Sequence, residues 1–496
     1  MGITTFGYFV SIALGVLIFY LLPLRARWPW LLVLSFLYVL SVNLFGLFFI
    51  LATSLTAYLL ARKLEVAKEN KKRLVITGVT ACAAVLILLK YAVALPWVCE
   101  LQIGSFGIYL PNFVHKYLYP VGLSYYTLQI ISYLLDVYWE RQKAEKNYFK
   151  VLLFTCYFPQ LVQGPISKYG ELAPELFKAH RFEWQNLKFG VQLVLWGLFK
   201  KLVIADRIGG WVHNIFHGDT TPYGFTIWFG LVYFGIQLYC DFSGGIDIIR
   251  GFSQCFGIGL KDNFRQPYFS RSLGEFWRRW HISLGEWMKD YVFYPISMSQ
   301  SLNSVKKSLK KVTSRKMANR IGMGIADILV FMLVGIWHGT GTNFFAWGLY
   351  NGIILAISAI LVDQYADWKR ALKINEEALW WKSFQLVRTF SIVTIGWIFD
   401  CATTASGSWT LFVNMWKFQS FSLSQIYSTF GIAFILATSI GLLFLTSVLH
   451  ERGLRLRPVI GKTPYWVQLI VWSILLHLIL GWGYVAPAGG FMYANF

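Results

Sequence analysis

The sequence predicts an all-α, polytopic integral membrane fold, and three observations carry that prediction. Apolar residues make up 56% of the 496 and charged residues only 14%, whereas soluble domains carry roughly 25% charged residues, so there is too little charge to cover a soluble surface. Several uncharged stretches are long enough to cross a hydrocarbon core of about 30 Å, which takes roughly 20 helical residues. Aromatic residues reach 18%, with 22 Trp and 27 Tyr, more than interfacial belts require, so many are expected to line interiors.

Taken in order, Gly7 to Leu24 lacks a basic leader and a small-residue cleavage site, and is expected to be a retained first helix. From Trp28 to Ala61 no Asp, Glu, Lys, Arg or His interrupts the chain. One helix of that length would run roughly 50 Å, so two helices, 28–43 and 44–61, broken near Asn43, are expected instead. Further spans are expected at 74–95, 117–139, 148–164, 186–204, 224–242, 324–338, 344–362, 384–400, 428–447 and 465–482, which sets the number of transmembrane or re-entrant helices at about 11 to 13. Residues 244–320 are dense in charge and aromatics, contain no clean span, and read as interfacial or dipping helices ending in a basic loop. No internal repeat is visible, which weighs against an inverted-repeat transporter. The chain is taken as one membrane domain: N-terminal helices 1–116, a motif-bearing core 117–363, and C-terminal helices 364–496.

The formal net charge is +21, but Lys and Arg fall in short clusters between apolar spans and not on one soluble face, which argues against a nucleic-acid partner. Arg62 to Arg73, Arg141 to Lys150 and Lys306 to Arg320 are instead expected to face the cytoplasm. Cys82, Cys99, Cys156, Cys240, Cys255 and Cys401 show no CxxC pair or ligand spacing and are expected as buried free thiols.

Two stretches carry candidate chemistry. In Phe276-Trp-Arg-Arg-Trp-His-Ile-Ser-Leu-Gly-Glu-Trp-Met-Lys-Asp-Tyr291 a helix would place Trp277, His281, Leu284, Met288 and Tyr291 on one stripe, with Glu275 set to pair with Arg279. An interfacial amphipathic helix bound to headgroups is the plain alternative. In Gly335-Ile-Trp-His-Gly-Thr-Gly-Thr-Asn-Phe-Phe-Ala-Trp-Gly348, His338 follows the apolar run Ile328 to Trp337, and ionisable groups at such depth mark functional centres by default. Gly335, Gly339 and Thr342 leave room beside it for another helix or a substrate chain; a hydrogen-bonded packing histidine is the alternative. His477, inside the last span, lacks such neighbours and reads as structural, and Asp247 and Arg250, three apart, are expected to pair.

Pro120-Val-Gly-Leu-Ser-Tyr-Tyr-Thr-Leu-Gln129, Phe158-Pro-Gln-Leu-Val-Gln-Gly-Pro165, Lys200-Lys-Leu-Val-Ile-Ala-Asp206, Asp241-Phe-Ser-Gly-Gly245, Phe276 to Leu284, Trp337-His-Gly339 and Phe491-Met-Tyr-Ala-Asn-Phe496 occur in an order that resembles the membrane-bound O-acyltransferase (MBOAT) family, in its bacterial alginate O-acetyltransferase branch. The resemblance implies a helical ring around a central tunnel where a histidine meets an acyl donor from one side and an acceptor from the other. It puts His338 at the catalytic position and His281 at the second histidine. The chain departs from the pattern after Asp290-Tyr291, where Val-Phe-Tyr-Pro-Ile-Ser-Met-Ser-Gln300 replaces a Pro-Leu-Gly-Gly-like turn.

O-acyl transfer needs a base for a hydroxyl and donors for an oxyanion, and a buried neutral imidazole suits the first task. His338 is therefore the expected general base and His281 a second acid/base or positioning residue. Trp337, Gly339, Trp277, Arg278, Arg279, Asp241 and Asn343 are the substrate- or tunnel-lining candidates, the two arginines serving either donor phosphates or headgroups. With no phosphate-cradling loop, zinc signature or nucleophile elbow, neither a metal nor a bound cofactor is expected. The donor is then a substrate, acetyl-CoA or another acyl thioester, including an acyl-carrier protein.

The leading reading is an O-acetyltransferase of the bacterial cytoplasmic (inner) membrane that acts toward an extracytoplasmic polysaccharide, directly or through a partner acyltransferase. D-alanyl transfer toward teichoic acid and a transporter or flippase of an envelope precursor are the alternatives. Placing Arg62 to Arg73 inside and counting back three spans puts Met1 outside. Single cysteines at Lys68 and Ser314 should therefore resist an impermeant thiol reagent in intact cells and react in broken ones; labelling of either in intact cells reverses the topology.

Overall fold

The computed structural model describes residues 4–91, 102–103, 108–109, 122–161, 163–417, 430–485 and 491–492. They form an all-α polytopic membrane protein, the one strand pairing among them being antiparallel Gln102–Ile103 with Ile108–Tyr109. Contacts divide the chain into one unit of Met1–Leu198, Gly244–Lys261 and Gly489–Asn495, and a second of Phe199–Ser243 and Asp262–Ala488 with Phe496.

In the first unit, α1 (Phe6–Leu21), α2 (Leu24–Val42), α3 (Leu44–Val66) and α4 (Lys71–Tyr91) precede α5 (Leu123–Tyr138), α6 (Tyr148–Cys156), α7 (Tyr169–Phe177) and α8 (Trp184–Leu198). The break expected near Asn43 is present. Asn43 is extended and its Oδ1 accepts from the Phe45 and Gly46 N–H groups, which satisfies two of the orphan donors at a helix start. α5 is buried along nearly its whole length, whereas α3 and α4 show Phe48, Leu55, Ile76 and Leu88 at their surfaces, the pattern of helices whose solvent is lipid. α6 stops short of the span expected for 148–164 because Phe158 precedes Pro159, and the residue before proline is driven out of the α region. α8 meets the helical stretch 244–255 backbone to backbone: a Cβ on Gly190 would lie 2.7 Å from the Gly251 oxygen, and one on Gly251 2.6 Å from the Gly190 oxygen.

The second unit begins with a π-helical turn, Phe199–Ala205, then α9 (Asp206–His217) and α10 (Gly224–Cys255) as far as Ser243, the rest of that helix belonging to the first unit. α11 (Leu273–Arg279), α12 (Ile282–Met288), a π-turn Lys289–Phe293, α13 (Tyr294–Ser297) and α14 (Gln300–Leu309) are short, and α15 (Arg315–His338) and α16 (Thr342–Ile360) form a hairpin. α17 (Val362–Ala371), α18 (Leu379–Gly396), α19 (Ile398–Cys401), α20 (Ala405–Asn414), α21 (Phe430–Glu451), α22 (Leu456–Ile460) and α23 (Tyr465–Trp482) complete it. Between apolar helices in lipid there is no hydrophobic drive to associate, so contact depends on close packing of small residues. A Cβ on Gly335 would lie 2.3 Å from the Phe344 oxygen, one on Gly348 2.5 Å from the Phe331 oxygen, and one on Gly324 2.9 Å from the Ala356 Cβ. At the far end Arg320 grips Asp363 with two nitrogens at 2.7 and 3.0 Å.

Eight described helices are long and apolar enough to cross a membrane. Three expectations need correction. Residues 276–291 are not one amphipathic helix with a continuous stripe, because the chain breaks at Trp280–His281 between α11 and α12. The stretch from Gly244 does not begin an irregular region, since α10 continues to Cys255. The basic segment 306–320 is not a loop: the end of α14 and the start of α15 leave only 310–314 between helices. Cys82, Cys156, Cys240, Cys255 and Cys401 are buried free thiols as expected; Cys99, the start of the 117–139 span and Tyr493 to Phe496 of the terminal motif lie outside the described residues.

Gly348→Leu should destabilise the hairpin by about 1–3 kcal/mol or more, the usual cost of overpacking. Gly441→Leu, where an added Cβ meets nothing within 4 Å, should change the thermal midpoint of the detergent-solubilised protein little; equal shifts would show that the hairpin contact is not limiting.

Candidate active site

His338 is the last residue of α15 and is 7% exposed. Its ring lies edge-on to Trp337 at 5.1 Å and to Trp347 of α16 at 5.3 Å. Trp347 in turn meets Trp277 of α11 at 5.4 Å, and Trp277 meets Phe331, two turns before His338 on α15, at 5.4 Å. The imidazole thus stands in a wall of aromatic rings supplied by three helices. The Trp277 indole N–H is buried with no acceptor among the described residues. Gly339 is extended, and a Cβ there would strike the Phe344 ring at 2.2 Å.

His281 reaches the site through a turn and not from a helix. Its φ of 46° is left-handed, a conformation that strains a residue with a Cβ. Asn263 over-determines it: the Ile282 N–H donates to the Asn263 backbone oxygen at 3.0 Å and the Ser283 N–H to Asn263 Oδ1 at 2.9 Å, which satisfies the first free donors of α12. Asn263 Nδ2 is 3.3 Å from His281 Nδ1, and the Phe242 ring stands edge-on to the imidazole at 4.8 Å. His281 is 3% exposed and lies outside the membrane-crossing helices. Burial, and then the charge that a protonated His338 would carry, push its pKa well below the usual histidine range, so the ring is neutral near pH 7 and the two histidines are electrostatic neighbours.

A buried ionic group joins two of the quoted motifs, Lys200 to Asp206 and Asp241 to Gly245, of which the sequence reading singles out only Asp241. Lys201, in the π-turn, places Nζ 2.6 Å from Asp241 Oδ1 on α10 and 2.8 Å from Asp206 Oδ1 on α9. Lys200 Nζ donates to Ser243 Oγ at 2.9 Å. Asp241, expected to line the tunnel, is 1% exposed and engaged in this ion group. Two lysines inside an otherwise apolar run were the available signal, since cations at such depth need partners.

The remaining candidates separate. Arg279 is held between Glu275, as its spacing predicts, and Glu451 on α21, both at 2.7 Å, while Arg278 is exposed. Asn343, at the start of α16, is buried, and its Nδ2 donates to the Phe399 and Ala402 oxygens, each at 2.9 Å. His477 lies on the exposed face of α23 with Nδ1 2.7 Å from the Ser473 oxygen of its own helix. Asp247 and Arg250 pair at 3.5 Å. Among the described residues no three His, Cys, Asp or Glu side chains converge as metal ligands.

Comparison with known proteins gives one family match, to the membrane-bound O-acyltransferase family over residues 113–312, a range that contains His281 and ends before His338. The probable alginate O-acetylase of Azotobacter vinelandii is 29% identical over 84% of this chain and 78% of its own length. The peptidoglycan O-acetyltransferase of Helicobacter pylori is 27% identical over 84% of this chain and 80% of its own. The teichoic acid D-alanyltransferase of Bacillus subtilis is 27% identical over 57% of this chain and 68% of its own.

Removing one partner of a buried ion group leaves an uncompensated charge and costs about 3–5 kcal/mol. Lys201→Met should therefore lower the thermal midpoint sharply, whereas Arg370→Met, from an exposed pair with Asp367, should leave it nearly unchanged. A stable Lys201→Met protein would show that the lysine is not the charge that holds Asp206 and Asp241.

Proposed function

The chain belongs to the membrane-bound O-acyltransferase family, and from that premise we propose that this acyltransferase of the membrane takes an acetyl group from a cytoplasmic thioester, acetyl-CoA, and delivers it toward a hydroxyl of an extracytoplasmic envelope polysaccharide. The observation that carries the reading is the pair of neighbouring buried imidazoles, His338 in its wall of tryptophans and His281 held neutral at a strained turn.

The chemistry follows from what each group offers. A neutral His338 accepts the proton of the acceptor hydroxyl as its oxygen attacks the thioester carbonyl carbon. The carbon–sulfur bond then breaks, and the thiol leaves with the proton that the imidazolium returns. Negative charge on the carbonyl oxygen needs a donor where little water competes, and the unengaged Trp277 N–H beside Trp347 supplies one. His281 positions the reacting groups or relays the proton. Arg278, exposed and outside the Arg279 ion pairs, is the arginine available to donor phosphates. The basic segment from Lys306 to Arg320 puts the N-terminal end of α15 in the cytoplasm and the His338 end toward the acceptor side. The membrane is then the bacterial inner membrane, and a separate extracytoplasmic acyltransferase completes delivery when the polymer lies beyond reach.

D-alanyl transfer from a carrier protein is the second reading, favoured by the likeness to a teichoic acid D-alanyltransferase. The same histidine chemistry serves it. Acetyl against alanyl esters on wall polymers, measured by mass spectrometry in cells with and without the gene, separate the two, and unchanged esters would favour transport.

His338→Ala should lower acyl transfer by about 10²- to 10⁴-fold, the usual contribution of a general base, with detergent monodispersity kept. His477→Ala, whose ring bonds only its own helix among the contacts found, should retain most activity. Wild-type turnover by a monodisperse His338→Ala protein would overturn the catalytic assignment.

A further inference from the structure

α9 (Asp206–His217) is packed on one side and open on the other. A Cβ on Gly230 of α10 would lie 2.8 Å from the Phe216 ring and 3.0 Å from the Ile215 side chain. Ile208 and Val212, on the same stripe by helical period, are buried. Gly210, His213, Asn214 and His217 point the other way and are all exposed, and a Cβ added at Gly210 would meet nothing within 4 Å. None of these four is a large apolar side chain, and the exposed segment 218–221, Gly-Asp-Thr-Thr, follows them. α9 is not among the described helices long and apolar enough to cross a membrane. Its outer stripe is built for water.

His213 and His217 are four apart, hence neighbours on the helix surface. Their ring centres stand 5.3 Å apart with the planes inclined at 43°. Two imidazoles on one tetrahedral zinc, each with its nitrogen about 2.1 Å from the ion, hold their ring centres roughly 5 Å apart. The pair is therefore spaced for a shared ion, and neither ring is engaged in a hydrogen bond or ion pair found among the described residues. Burial, and then the charge that a protonated His213 would carry, lower the His217 pKa below the usual histidine range, which favours the free base that a metal requires. Histidines at the same spacing on a helix hold zinc in the His-Glu-x-x-His run of metalloproteases. Here Asn214 stands in place of the glutamate, so the ion would have no general base beside it and the site binds without hydrolysing. A cation at the last turn of a helix also meets the negative end of the helix dipole.

We propose that His213 and His217 form a binding site for a divalent transition metal, with zinc the ion best matched to two imidazoles at this spacing and water completing its coordination. The ion staples the last turns of the helix whose first residue, Asp206, holds Lys201. Magnesium and calcium, which take oxygen ligands, are not bound. The site is independent of the acyl-transfer reading, whose chemistry needs no metal.

The test uses the full chain in detergent, purified on a tag without histidine. Titration calorimetry should find one zinc per chain, cobalt(II) should bind in competition with it, and magnesium should not. Zinc should raise the thermal midpoint in a concentration-dependent manner. His213→Ala and His217→Ala should each weaken zinc binding about 10²-fold, as expected when one of two tethered ligands is lost, and remove the rise in midpoint. Alanine is the better helix former, so both variants should keep the metal-free midpoint of the wild type, and His477→Ala should bind zinc as the wild type does. A wild type that binds no zinc, a His213→Ala/His217→Ala double variant that binds it undiminished, or magnesium displacing cobalt overturns the site. Zinc binding lost in His338→Ala but kept in the double variant overturns it too, by placing the ion at the active site.

Discussion

The backbone-to-backbone contact of α15 with α16 is the constraint from which the site follows. Lipid provides no hydrophobic drive for two apolar helices to associate, so the hairpin is held by glycines that let carbonyl oxygens stand where a Cβ would be, Gly335 against Phe344 and Gly348 against Phe331. That closeness brings Trp347 to the His338 ring. It also fixes the turn between the helices, and with it the position of Asn343, whose amide then dictates where the α19 segment lies. A larger residue at the contact would part the helices and draw Trp347 away from the His338 ring.

The second histidine is delivered by different physics. His281 sits at positive φ, a conformation costing on the order of 1–3 kcal/mol, and is kept there by hydrogen bonds from the start of α12 to Asn263. The strain leaves an imidazole projecting from a turn between two short helices. A helix through the same residues would have forced its direction to follow the helical period. Lys201 and its two carboxylates hold the π-turn, α9 and α10 in one arrangement. Buried ion groups of this kind add little net stability compared with apolar residues, yet breaking one is costly, so the group acts as a constraint on geometry.

Desolvation unites these features. Aromatic rings and packed helices bury both imidazoles, which keeps His281 neutral and makes every remaining hydrogen-bond donor or acceptor nearby count for more than it would in water. A reaction that passes a proton from a hydroxyl to a ring nitrogen while charge builds on a carbonyl oxygen profits from such surroundings, because preorganised groups need not reorganise as the charge develops.

How much of this was legible in the sequence depends on the range of the interaction concerned. The membrane class, the helix break at Asn43, the Glu275–Arg279 and Asp247–Arg250 pairs and the small residues around His338 were readable because each depends on residues within a few positions, where helical period and capping chemistry act. The histidine at the end of a long apolar run was legible for the same reason. The break at His281 was not: periodicity favours one helix through 276–291, and it is Asn263, well before that segment, that captures the N–H groups of Ile282 and Ser283 and stops it. Nor could local pattern pair Lys201 with Asp241, or set Trp277 and Trp347 around His338, since those meetings are decided by which helices approach closely. The sequence by itself determined that this chain lives in a membrane and which side chains are chemically able to act; only the tertiary structure decided which of them meet, because hydrogen bonds and packing between distant segments leave no period in the chain.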